Sequence, residues 1–106
     1  MTLAEIYAML KQTGYPVAYH HFTTAPTPPY IVYLIPYSPN FMAEDKVYAK
    51  INHLQVELYT TKKDASAEGK LEEIFDTNDI CYEKTETYID TEKLYQIIYE
   101  FEELGE

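Results

Sequence analysis

Hydrophobic positions in this chain follow two periods. Over residues 3–13, Leu3, Ile6, Tyr7 and Leu10 recur at the three-to-four spacing of one helix face. Thr2 and Glu5 form a T-x-x-E capping box at its start, Gly14 stands where such a helix would end, and Pro16 prevents continuation. A helix over 3–13 is expected. A second stripe, Ala67, Leu71, Ile74 and Phe75, predicts a helix over 65–76. Asp64 is placed to cap it and Asn78-Asp79 to end it, with Lys70, Glu72, Glu73 and Asp76 on the wet face.

Elsewhere the period is two. Residues 17–22 (VAYHHF) alternate as a short strand, and TTAPTPP after them must be extended, because its three prolines have no N–H to give a ladder. Tyr30–Ile35 is β-branched and aromatic, which is strand chemistry, and Pro36 and Pro39 are expected to close it. NFMAEDK then reads as a loop, mobile over 38–46. Val47–Ile51 and Leu54–Thr60 alternate on either side of His53, as one bent strand or as two with a tight join. Ile80–Tyr88, with Ile80, Tyr82 and Tyr88 on one face, and Lys93–Phe101 are the last strands, separated by a turn at Thr91-Glu92. Residues 102–106 are expected to be a frayed acidic tail. The order is α-(β)-β-β-β-α-β-β. It implies one α+β domain over 1–106, with two helices packed on one face of a mostly antiparallel sheet.

Charge narrows the function. Eighteen acidic residues against eight basic ones leave a net −10, and every basic residue is a lysine. Without arginine there is no bidentate fork for phosphates or base edges, so specific nucleic-acid binding is not expected. A solvated acidic surface, a partner with a basic face, or a channel wall that repels DNA remains. The twelve tyrosines suit half-buried sheet faces and protein contacts. Cys81 is alone, which excludes an intrachain disulfide and suggests a half-buried strand thiol in a reducing compartment. MTLAEIYAMLKQTG has no basic region followed by an apolar stretch, and no window approaches the ~20 apolar residues of a spanning helix, so neither a signal peptide nor a membrane segment is expected.

Catalytic chemistry finds little footing. Of the three histidines, His20, His21 and His53, the first two are adjacent in an extended segment and should point to opposite faces, and there is no H-E-x-x-H and no second cysteine, so no metal site is expected. Glycines occur only at 14, 69 and 105, so there is no phosphate-cradling loop and no cofactor is expected. Paired carboxylates (Glu44-Asp45, Glu72-Glu73, Glu102-Glu103) are unsurprising in so acidic a chain. The chain reads as a non-enzyme that binds protein. Phe41 and Met42, beside Glu44, Asp45 and Lys46, look like an apolar anchor in a polar rim, unless Phe41 folds back as a lid on the core. The edge of the final strands is a second candidate for pairing between subunits.

The succession GYPVAYHHF, PPYIVY, NFMAEDKVY, VELYTTKKD, AEGKLEE and YIDTEKLYQIIYEFE, from about Gly14 to Glu102, resembles small head–tail joining, tail-completion or tail-terminator proteins of long-tailed phages and prophages of Gram-positive bacteria. The resemblance implies a non-enzymatic virion protein that assembles in the host cytoplasm and ends at the head–tail junction. It implies a homo-oligomeric ring, commonly a hexamer, that terminates the tail tube and docks to the head connector. DNA would pass through an acidic lumen without sticking. A neighbouring connector or minor capsid protein of the same module, or an acidic DNA-mimic inhibitor, are the alternative expectations.

Overall fold

The computed structural model describes residues 1–43 and 46–105. Helix α1, Leu3–Lys11, begins with the capping box: the Thr2 hydroxyl accepts from the Glu5 N–H at 3.1 Å, and the Glu5 carboxylate accepts from the Thr2 N–H at 2.8 Å. The chain leaves it through Gly14, whose φ of 84° lies in the left-handed region that glycine enters without strain. Strand β1 (Val17–Tyr19) pairs parallel to β2 (Tyr30–Tyr37). β3 (Phe41–Ala43) and β4 (Lys46–Ala49) pair only with each other among the described residues. β5 is Ile51–Thr60, α2 is Ala65–Thr77, β6 is Glu83–Ile89 and β7 is Leu94–Leu104. The main sheet runs β1-β2-β5-β7-β6, antiparallel apart from its first pair.

The expected α+β architecture is the observed one, with both helices on the same face of the sheet. Leu54, Val56 and Leu58 of β5 lie beside Phe101, Tyr99 and Ile97 of β7, and Ile31 and Tyr33 of β2 continue the layer. Ile6, Met9 and Leu10 of α1, and Ala67, Leu71 and Phe75 of α2, close over them. The opposite face carries Gln55, Glu57 and Tyr59 and has no helix above it. The two faces follow from the strict alternation of residues 54–60, since neighbouring side chains on a strand point to opposite sides.

Several boundaries differ from the expected ones, each for a local reason. Pro36 lies inside β2, at a bulge: Leu34 faces Gln55 and Tyr37 faces His53, so three steps on β2 match two on β5. A bulge leaves a residue out of the ladder and tolerates a missing donor. The segment 40–46 is not wholly irregular, because Phe41–Ala43 is strand. The break between β4 and β5 falls at Lys50, which places His53 within β5. β6 begins at Glu83 rather than Ile80, because α2 ends in a Schellman motif. Asp79 takes φ 56°, its N–H donates to the Asp76 carbonyl, and the Ile80 N–H donates to the Phe75 carbonyl at 2.9 Å. Cys81, in the segment between, is exposed rather than half-buried.

At the other end, residues 102–104 are strand and not a frayed tail. They pair with His53, Asn52 and Ile51, and the terminal ammonium of Met1 meets Glu103 at 2.8 Å.

Leu58 is fully buried between the sheet and the helices. Leu58→Ala should lower unfolding stability by about 2–5 kcal/mol in urea titrations; a loss close to zero would mean that the layer described above is not the core.

Candidate functional site

Among the residues singled out in the sequence as contacts, Met42 is 60% exposed on β3. Phe41 and Lys46 lie on the antiparallel β3–β4 pair, where Ala43 faces Lys46, while Glu44 and Asp45 lie outside the described residues. The small two-stranded sheet shares no ladder with the main one and carries an exposed apolar side chain. The main sheet adds two open edges of different character. On one side is β1, three residues long, with Tyr7 and Tyr19 exposed beside it. The Tyr19 hydroxyl accepts the Ile35 N–H at 3.2 Å, just past the end of β1. On the other side is β6, seven residues long, of which all but Ile89 are exposed.

The histidines are not arranged as expected. His20 adopts φ 67° where β1 stops, which breaks the alternation and brings its ring against that of His21 with the two Nδ1 atoms 3.2 Å apart. No group of three or more metal-ligating side chains occurs among the described residues. The same pair borders a cavity of about 240 Å³, with Phe22, Tyr30, Tyr59 and Glu92.

The densest electrostatic feature was not singled out in the sequence. Glu68 of α2 is 4% exposed and takes Lys63 at 2.8 Å and Lys84 at 2.8 Å. Lys63 also meets Glu86 at 2.6 Å, and Lys84 meets Glu72 at 2.7 Å, where the Tyr99 hydroxyl donates as well at 2.7 Å. Burial opposes the charged forms of Glu68 and Glu72. Hydrogen bonds from Lys63 and Lys84 to the first, and from Lys84 and Tyr99 to the second, outweigh it and hold both carboxyls below their ordinary value. Burial raises the Tyr99 hydroxyl far above the usual tyrosine range, and its bond to Glu72 raises it further. A signal for this cluster existed: Lys84 and Glu86 share the parity of Tyr82, so the alternation of β6 turns them toward α2. Glu72, expected on the wet face, is half-buried here.

Chemically this is a closed lattice. Each cation is already held by carboxylates, and the tyrosine is locked as a neutral donor, so neither a free base nor an activated nucleophile is presented. On the helix-free face Tyr59 is likewise engaged, donating to Glu57 at 2.7 Å and accepting from Gln96 at 2.8 Å. No helix among the described residues is long and apolar enough to cross a membrane. No protein-family model matches the chain, and no curated protein matches it in sequence.

Because Glu68 and Glu72 titrate lower in the fold than in the unfolded chain, the stability they contribute is whole above the ordinary value near 4.5 and is lost as pH falls through the lowered folded values. Thermal melts taken on acidification should show that decline. Lys84→Gln should flatten it and cost about 1–3 kcal/mol at neutral pH, by leaving buried carboxylate oxygens short of a partner. An acid profile identical in the variant would remove the cluster from the account.

Proposed function

We propose that the chain is a structural subunit of the head–tail junction of a long-tailed phage or prophage. It builds a closed ring that terminates the tail tube and docks to the head connector, assembling in the host cytoplasm before entering the virion. One observation carries the reading beyond the sequence resemblance: the main sheet ends in two unlike edges. A ring requires head-to-tail contacts between two different surfaces, whereas a two-fold dimer uses one surface twice. The short β1 edge with Tyr7 and Tyr19, and the long, charged β6 edge, are two such surfaces on opposite sides of one domain. The β3–β4 pair, with Met42 in water, is a third element free to reach a neighbour.

Charge supports the same reading. At −10, and with no arginine, a ring of these subunits repels the DNA that must pass through it. The locked ion pairs of α2 and β6 favour a scaffold over a reaction centre.

The test is deletion of the gene from a phage that carries it, followed by electron microscopy of the lysate. Loss of this subunit should leave tails of uncontrolled length and heads without tails. Met42→Asp supplied in trans should restore joined particles several-fold less well than the parent chain, whereas Cys81→Ser should restore them fully. Normal particles from the deletion strain would end the proposal.

A further inference from the structure

A second cavity, of about 530 Å³, opens at the end of the sheet where β6 begins and β7 finishes. It is lined by Tyr37, His53, Glu83, Glu100 and Glu102, with Tyr82 at its edge. We propose that this cavity is a receptor for a basic side chain, lysine or arginine, presented by a partner protein.

The cavity holds an excess of negative charge that the chain does not neutralise. Glu83 and Glu100 are direct cross-strand partners, so their side chains leave the sheet side by side on the same face. Like charges so placed are destabilising unless a cation joins them. Glu100 is met by His53 Nε2 at 3.1 Å, and Glu102 stands 3.7 Å from His53 Nδ1. The Glu83 carboxylate makes no hydrogen bond or ion pair among the described residues. One imidazole thus faces two of the three carboxylates and leaves Glu83 to itself, and no lysine lines the cavity.

The walls suit the rest of a basic side chain. Tyr37 stacks on His53 with centroids 4.5 Å apart and planes 11° from parallel, giving a flat panel whose outer ring is exposed. An aliphatic stem packs on such rings while its charged head is drawn to their faces and to the carboxylates beyond.

The partner is a different protein because this chain has few cations to offer. Lys63, Lys84 and Lys93 are bound in ion pairs, and Lys11 and Lys70 engage Tyr15 through its carbonyl and its ring. That leaves Lys50 and Lys62 uncommitted among the lysines whose side chains are described, on a chain whose net charge of −10 repels a second copy. The inference does not depend on ring assembly, since it concerns a cavity within one subunit.

The experiment is an NMR titration of the ¹⁵N-labelled chain with N-acetyl-lysine-N-methylamide, its arginine counterpart, and the neutral N-acetyl-norleucine-N-methylamide. The basic probes should give saturable shifts at Tyr37, His53, Glu83, Glu100 and Glu102, and the neutral one none. Glu83→Gln, which leaves every hydrogen bond described above in place, should weaken the basic probes about ten-fold while the other resonances stay where they are. Equal shifts from the neutral probe would reduce the cavity to an apolar dent. Unsaturable shifts spread over all acidic residues, or unchanged affinity in Glu83→Gln, would equally overturn the proposal.

Discussion

The register between β5 and β7 is the constraint on which the rest of the molecule depends. Ten consecutive pairs, from Ile51 with Leu104 to Thr60 with Tyr95, lock the two central strands together without a slip. A slip of one residue would turn Leu54, Val56 and Leu58 into water and Gln55 and Glu57 into the core, a cost no surface contact could offset. With that ladder set, each outer strand has one workable phase. β2 must present Ile31 and Tyr33 to the helices, and β6 must present Lys84 to Glu68 and Glu72. The hydrophobic layer thereby decides where the charges meet.

The same logic explains which features were legible in the sequence. Both helices were readable because cap, stripe and stop signal agreed: Thr2 with Glu5 and then Gly14 for the first, Asp64 and then Asn78-Asp79 for the second. The alternation of 54–60 was readable because one face is apolar throughout. What escaped were points where backbone hydrogen bonding overrides side-chain pattern. The segment from Ile80 alternates like a strand, yet the Schellman bonds of Asp79 and Ile80 tie it to the helix. His20 follows an alternating run, yet its left-handed φ turns the chain aside. Residues 102–104 look like a soluble tail because glutamates dominate, yet β5 offers them a ladder and Met1 an ammonium.

Candidate sites were less legible than the fold, because they arise from distant segments. Nothing local links Lys63 with Glu86, or Tyr37 with Glu100; the sheet order brings each pair together. Two of the chain's eight lysines, Lys63 and Lys84, are bound to carboxylates of α2, where they stabilise packing. Other carboxylates, such as that of Glu83, are left without a cation among the described residues. An acidic surface of this kind disfavours indiscriminate association between copies, because like charges would be brought face to face.

The bulge at Pro36 has a consequence of its own. Up to Tyr33, the odd-numbered residues of β2 point toward the helices. The additional residue before Tyr37 shifts the reading frame of the strand, so Tyr37 emerges on the helix-free side and lies flat on His53. A single strand thereby serves both layers: its first half is committed to the core, and its last residue is released to the surface. The proline that seemed to stop the strand is what lets one strand change allegiance without leaving the sheet.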